Sequence, residues 1–187
     1  MERKAVGLFG GSFNPITEGH LSVAKGCLRY FDEVWISPCH RSLSAKDLID
    51  GEHRLAMCKL VADEPRIRIL DTEIRRGLAL HPYEFWKEVV AAHPDCDFSF
   101  IMGTDVANTV ERWDHYPQIL QEVKFAIIPR KGHPIRPNIQ WLPPHRILDV
   151  EAPSCSSSEW RESHSRDPEH FGFIDGRVAD YIRKNGL

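Results

Sequence analysis

Short apolar runs alternate with helix-length amphipathic segments along the whole chain. The runs are apolar at nearly every position, which is typical of strands buried on both faces of a parallel sheet. They predict strands over residues 5–9, 33–38, 67–70, 98–102, 125–128 and 146–150, and helices over residues 17–30, 52–62, 83–92, 157–163 and 177–184. Because strand–helix–strand repetition requires right-handed crossovers, we expect an α/β fold of the doubly wound, Rossmann-like type, with helices on both faces of a parallel sheet.

Composition narrows the class of protein. The chain has 187 residues and no linker or repeat, so we expect one domain over 1–187. Its five cysteines are odd in number and scattered, which predicts free thiols in a reducing compartment such as the cytoplasm. No apolar stretch approaches the roughly 18 residues of a membrane span, and the N-terminus does not resemble a secretory signal. A net charge of −3 without a long basic run disfavours a nucleic-acid surface; the oligomeric state, a homo-oligomer included, stays open.

A glycine-rich turn, GGSFNPITEGH, follows the first predicted strand over residues 10–20. Gly10 and Gly11 let the backbone approach a ligand closely, and the helix behind them offers unpaired N–H groups that favour phosphate. Thr17 and His20 are three residues apart, so they share a helical face from which both could reach a phosphate chain. The structural alternative is an ordinary turn, with Thr17 as the N-cap and His20 as a partly exposed helix residue.

A second candidate element, CSSSEWR over residues 155–161, begins the predicted helix near the C-terminus. Ser156 and Glu159 have the S-x-x-E spacing of a capping box, which alone would indicate an ordinary helix start. The same serine-rich start also donates hydrogen bonds suited to phosphate. Arg161 follows Ser158 by three residues on one face, and its planar, permanently charged guanidinium suits oxyanions.

A third candidate element lies at the end of the fourth predicted strand. Gly103 and Asp105 would place a carboxylate where ribose hydroxyls could bind, and Trp113 follows eight residues later. Taken singly, Asp105 could equally be a helix N-cap, and Trp113 a core aromatic residue.

Together these elements resemble the nicotinamide and nicotinate mononucleotide adenylyltransferases, a family of nucleotidylyltransferases. Residues 10–20 resemble the signature G-x-F-x-P-[TH]-x-G-H, with Thr17 in place of the first histidine of H-x-G-H. Residues 155–161 resemble I-S-S-T-x-x-R, with Cys155 departing at the apolar position. Residues 103–113 resemble G-x-D…W, and similarity continues through 37–57 and 173–182, so that it covers nearly the whole chain.

The resemblance implies transfer of an adenylyl group from ATP to a pyridine mononucleotide, with release of pyrophosphate and formation of NAD or its acid analogue. Mg²⁺ is then expected to bridge the phosphates, without a metal site held by the protein. The implied catalytic residues are His20, Arg161, Lys46 and Thr17. The implied ATP-binding residues are Gly10, Gly11, Ser12, Phe13, His20, Gly103, Asp105, Ser157, Ser158 and Arg161. The implied mononucleotide-binding residues are Ser12, Phe13, Lys46 and Trp113.

One departure concerns the acceptor. Bacterial nicotinate enzymes of this family commonly carry S-Y-T after an E-x-x-R-x-G segment and bind the pyridine carboxylate through backbone N–H groups there. This chain reads Leu80-His81-Pro82, and proline has no N–H to donate. We therefore expect the amide acceptor to be used at least as well as the acid.

Two alternatives to this function stay open. One is another member of the superfamily, a pantetheine-phosphate adenylyltransferase or a cytidylyltransferase. The other is a catalytically silent nucleotide-binding module.

Overall fold

The computed structural model describes residues 3–41, 47–136, 145–151, 153, 156–167, 169 and 172–187. Its centre is a six-stranded sheet in the order β3-β2-β1-β4-β5-β6, in which every neighbouring pair is parallel. The strands are β1 (Lys4–Gly11), β2 (Glu33–Pro38), β3 (Ile67–Ile69), β4 (Cys96–Gly103), β5 (Phe125–Ile128) and β6 (His145–Ile147). All six predicted strands are confirmed.

Helices connect the strands. They are α1 (Glu18–Cys27), α2 (Gly51–Leu60), α3 (Thr72–Arg76), α4 (Pro82–Ala92), α5 (Thr104–Ala107), α6 (Tyr116–Glu122), α7 (Ser157–Arg166) and α8 (Gly176–Asn185), with a 3₁₀ turn over Val110–Arg112. The five predicted helices correspond to α1, α2, α4, α7 and α8. Sequence periodicity missed α3, α5 and α6, because helices of four to seven residues are too short to show a 3.6-residue repeat.

Two separate apolar clusters pack on the two faces of the sheet. One gathers residues of α1, α2, α7 and α8 around Ile36 and Ile101. The other gathers residues of α4 and α6 around Leu8 and Phe100. Burial on both faces explains why the strands are apolar throughout, and it confirms the doubly wound α/β fold. In the described part of the chain, no helix is both long and apolar enough to cross a membrane.

The direction of the chain connections reverses between β1 and β4. From β1 the sheet grows outward through β2 and β3 on one side and through β4, β5 and β6 on the other. Connections that diverge in this way leave a crevice at the carboxyl ends of the central strands, where doubly wound proteins bind ligands. The fold therefore places the ends of β1 and β4, which carry two of the three candidate motifs, side by side.

Candidate active site

A cleft of about 580 Å³ opens at this crevice. It brings together residues that are far apart in sequence but come from all three candidate motifs. The predicted site residues that line it are Gly10, Gly11, Ser12, Phe13, His20, Gly103, Asp105, Trp113, Ser157, Ser158 and Arg161. Lys46 lies outside the described residues, and Thr17 does not line the cleft.

The turn after β1 forms the middle of the cleft floor. A Cβ atom added to Gly10 would meet no protein atom within 4 Å, so the space in front of this glycine is open to a ligand. Phe13 follows with a φ of 45°, in the left-handed region that non-glycine residues seldom adopt. Its buried ring packs 5.0 Å from the His20 ring, centroid to centroid, so the turn also forms one wall of the His20 environment.

His20 is held as a neutral imidazole with a defined tautomer. Its Nδ1 lies 3.1 Å from the backbone N–H of Thr17, a group that can only donate, so Nδ1 is the acceptor and Nε2 carries the proton. Burial, with a smaller contribution from the positive charge of Arg130, lowers the pKa of His20 to about 4. At neutral pH the ring therefore offers an N–H donor to a phosphate oxygen, not a positive charge.

Thr17 has a different part from the one predicted. We expected its hydroxyl to reach the phosphate chain together with His20. The structure instead buries Thr17 and makes it the N-cap of α1, in a reciprocal capping arrangement with His20. Its Oγ1 lies 2.9 Å from His20 Nδ1. Thr17 thus acts on the site through the orientation of His20, because its side chain is already engaged with that ring.

Helix α7 is attached directly to the turn after β1. Ser156 and Glu159 form the predicted capping box. Ser157 Oγ donates to the carbonyl oxygen of Pro15 at 2.7 Å, and Arg161 Nη1 donates to the carbonyl oxygen of Asn14, also at 2.7 Å. The helix therefore presents its serine-rich start to the cleft in a fixed position relative to the glycine turn.

At the end of β4, Gly103 allows an unusually close approach of side chains. A Cβ atom there would lie 2.6 Å from Arg130 Cδ. Arg130 lines the cleft and pairs with Asp105, its Nη1 lying 2.8 Å from Asp105 Oδ2. The N-cap of α5 is Gly103, so Asp105 is not the cap, and the structural alternative for this carboxylate is wrong. Arg130 was missed in the sequence, although it follows the buried β5 strand by only two residues, at the edge where ligands bind.

The far end of the cleft is apolar. Trp113 is half-buried there and lines the wall together with Leu80, Pro82 and other apolar residues. Pro82 is the first residue of α4. The preceding residue, His81, lies with its Nδ1 2.7 Å from Asp114 Oδ2, which joins the start of α4 to the segment that carries Trp113. Pro82, which departs from the S-Y-T of the nicotinate enzymes, and Trp113, the predicted contact of the pyridine ring, thus lie at the same end of the cleft.

Comparison with known proteins agrees with this geometry. The family model described as cytidylyltransferase-like matches residues 8–163. A probable nicotinate-nucleotide adenylyltransferase of Lactococcus lactis is 32% identical over 191 residues, which cover 99% of this chain and 95% of the relative. The chain belongs to the nicotinate-nucleotide adenylyltransferases of the cytidylyltransferase-like family.

Two solved structures extend the match within this adenylyltransferase family. Nicotinic acid mononucleotide adenylyltransferase of Plasmodium falciparum, complexed with NaAD, superposes with a TM-score of 0.83 at 26% identity, and the match covers 98% of this chain and 97% of that one. The same enzyme complexed with APC gives a TM-score of 0.81 at 25% identity, over 98% and 96% of the two chains. The likeness therefore extends over essentially the whole described sheet and both layers of helices.

Proposed function

We propose that this protein transfers the adenylyl group of ATP to a pyridine mononucleotide, forming a dinucleotide of the NAD type and releasing pyrophosphate. The observation that supports this most directly is the meeting of three motifs in one cleft. The glycine turn, the start of α7 and the Gly103–Asp105 strand end all line it. The relatives named for the same reaction match over nearly the whole chain, which favours a pyridine acceptor over a pantetheine phosphate.

The cleft divides naturally into two halves. On one side stand α7 and the ends of β4 and β5, with Ser157, Ser158, Arg161 and Arg130. We assign this side, together with His20, to ATP. The other side is formed by the end of β2 and the start of α4, with Trp113 at its far end, and we assign it to the acceptor. The glycine turn lies between the two, where the phosphates of both substrates would meet.

The reaction then needs no nucleophilic side chain. The acceptor 5′-phosphate oxygen attacks the α-phosphorus of ATP as the bond to pyrophosphate breaks on the opposite side. Holding the two anions in line contributes on the order of 7–11 kcal/mol by proximity. The His20 Nε2–H and the Arg161 guanidinium stabilise the charge that develops on the phosphate oxygens. Lys46, which follows β2 in the sequence, remains a candidate for the same task.

Mg²⁺ is proposed to enter with the triphosphate. Across the described residues, no group of three or more His, Cys, Asp or Glu side chains is placed to hold a metal ion. Asp105, the carboxylate that lines this half of the cleft, is already paired with Arg130. These residues fit a metal that is bound by phosphate oxygens, and the ion would supply further charge neutralisation during the transfer.

The compartment and the acceptor complete the proposal. Four described cysteines, Cys27, Cys39, Cys58 and Cys96, are free, which supports the cytoplasm as the place of action.

For the acceptor, the names of the relatives favour the acid. Two features of this chain favour the neutral amide: Pro82 has no N–H to donate to a carboxylate, and a negatively charged group, the Asp114 carboxylate, lies beside His81. We therefore propose that both mononucleotides are substrates.

The test is pyrophosphate release by the purified chain with ATP, Mg²⁺ and one acceptor at a time. Nicotinate mononucleotide, nicotinamide mononucleotide and 4′-phosphopantetheine should be compared, and the dinucleotide product identified by mass. We expect turnover with both pyridine mononucleotides and none with 4′-phosphopantetheine. A faster reaction with 4′-phosphopantetheine, or no reaction with any acceptor, would overturn the proposal.

A further inference from the structure

One arginine beneath the cleft has no assigned part in the reaction. Arg54, on α2, is completely buried, and it does not line the cleft. Burying a guanidinium is costly unless its donors are paired. Among the described residues, its hydrogen bonds go to backbone carbonyl oxygens and not to a carboxylate, so they offset the cost of burial and at the same time fix the course of the main chain.

The three carbonyl oxygens belong to three separate stretches of chain. Arg54 Nη1 donates to Ser12 O at 2.7 Å, Nη2 to His40 O at 2.8 Å and Nε to Ile49 O at 2.7 Å. Ser12 lies in the glycine turn, His40 follows the end of β2, and Ile49 precedes α2. Each of these residues lines the cleft or is next to one that does, so a single planar group sets the relative positions of three parts of the cleft wall.

Glu73 continues this arrangement toward the acceptor end. It is buried and lines the cleft, and its Oε2 accepts from the backbone N–H groups of His40 at 3.1 Å and Leu80 at 3.4 Å. His40 is therefore bonded on its carbonyl side by Arg54 and on its N–H side by Glu73. Burial raises the pKa of Glu73, and the positive charge of Arg54 opposes that shift.

Three of the four residues that Arg54 and Glu73 contact, His40, Ile49 and Leu80, are on the acceptor half. They belong to the wall formed by the end of β2 and the segments that lead into α2 and α4, whereas Ser12 lies in the glycine turn between the two halves. The residues assigned to ATP on α7 are tied to the carbonyl oxygens of Asn14 and Pro15, and the Ile49 N–H, which donates to Asn14 Oδ1 at 3.0 Å, links them to the segment that Arg54 holds. Loss of the Arg54 contacts should therefore disturb one substrate more than the other.

We propose that Arg54, acting together with Glu73, is a positioning residue that fixes the acceptor half of the cleft, so that the mononucleotide phosphate is aligned with the α-phosphorus of ATP. The inference rests on the proposed function for the identity of the acceptor. Neither side chain is required to touch the reacting atoms. Their effect is transmitted through Ser12, His40 and Leu80.

The decisive variant is Arg54→Lys, which keeps the charge but cannot reach three carbonyl oxygens in one plane. We expect KM for the pyridine mononucleotide to rise by about tenfold or more, the size of effect of losing a charged hydrogen bond, while KM for ATP changes less than about threefold. Arg177→Lys is the matched control, because Arg177 also makes several contacts, to Asp63 and Asp175, away from the cleft. It should leave both KM values unchanged.

Thermal melting and equilibrium titration complete the test. An Arg54→Lys protein that melts near the wild-type temperature and keeps both KM values, or raises both equally, would overturn the inference. If this variant does not fold, Glu73→Gln is the deciding variant. We expect it to weaken binding of the mononucleotide but not of ATP, and an unchanged affinity for the mononucleotide would contradict the inference. Titrating nicotinate mononucleotide by calorimetry separates this question from turnover. If the wild-type protein binds the mononucleotide but releases no pyrophosphate, the proposed function is wrong. The effect of Arg54→Lys on mononucleotide affinity would still test the role of Arg54.

Discussion

The two ends of the cleft differ in polarity and in how they would hold a ligand. At the phosphate end, polar groups are fixed before any ligand arrives, since Arg161 and Ser157 are hydrogen-bonded to the glycine turn and His20 is locked by Thr17. At the pyridine end, Trp113 and the residues packed around it are apolar, and the nearby contact of His81 with Asp114 is exposed to solvent. Charge has to be met by donors in fixed positions, whereas a ring can be held by shape and contact area. The four predictions that follow test this contrast, from the largest expected effect to the smallest.

The largest effect should come from His20→Ala. We expect kcat to fall by about 10²–10³, the range observed when one stabiliser of transition-state charge is removed. Circular dichroism should show the fold retained, because the rest of the α1 N-terminus keeps its contacts. A purified variant with near wild-type kcat would exclude His20 from the mechanism and remove the functional basis of the phosphate end.

The burial of His20 also has a consequence for stability. Its pKa is about 4 in the folded protein and about 6.5 in an unfolded chain, so the unfolded state binds the proton first as the pH falls. The free energy of unfolding should therefore decrease between pH 6.5 and pH 4, by up to about 3 kcal/mol from this group. Melting curves of the wild type and His20→Gln across this range provide the measurement. An equal decrease in both proteins would show that His20 is not held in its neutral form.

Arg161→Lys should have the next largest effect. An ammonium can replace one contact of the guanidinium but not its planar pair, so we expect kcat/KM for ATP to fall by about 10- to 100-fold, or about 1.4–2.7 kcal/mol. Arg166→Lys is the control on the same helix, because Arg166 is exposed and pairs with Glu162 one turn away. Unchanged kcat and ATP KM in Arg161→Lys would make Arg161 a structural tie for the glycine turn and nothing more.

The smallest effect concerns the substituent on the pyridine ring. We expect kcat/KM for nicotinamide mononucleotide to be at least equal to that for the acid at neutral pH. The end of the cleft is apolar, and an unpaired buried carboxylate is costly. Trp113→Ala should weaken both acceptors by a similar factor, since stacking does not depend on the substituent. An acid preference above about a hundredfold, or roughly 2.7 kcal/mol, would show that the pyridine end has dedicated donors after all.

Features that depend on neighbouring residues could be predicted from the sequence, whereas contacts between distant parts of the chain could not. The bounds predicted for β2 and β5 agree with the structure, because buried strands are short and apolar at every position. The phosphate end was predicted from local motifs, in which neighbouring residues act together. Arg54 was missed as part of the site because its contacts are to backbone atoms that no sequence pattern displays. One signal was available: Arg54 shares the face of α2 with Met57, Cys58 and Val61, all buried, where a charged residue is unexpected.

The hydrogen bonds between α7 and the glycine turn also affect the order in which this protein can become active during synthesis. They join residues 142 and 147 positions apart, so the glycine turn, which leaves the ribosome before α7, must wait for synthesis of the chain through Ser157 and Arg161 before these residues can reach it. Contacts this distant in sequence form late, because the intervening chain must already be ordered. A nascent chain that stops before residue 157 can form the sheet but cannot complete the triphosphate half of the cleft. Adenylyl transfer is therefore expected only from chains that have been synthesised at least through Arg161.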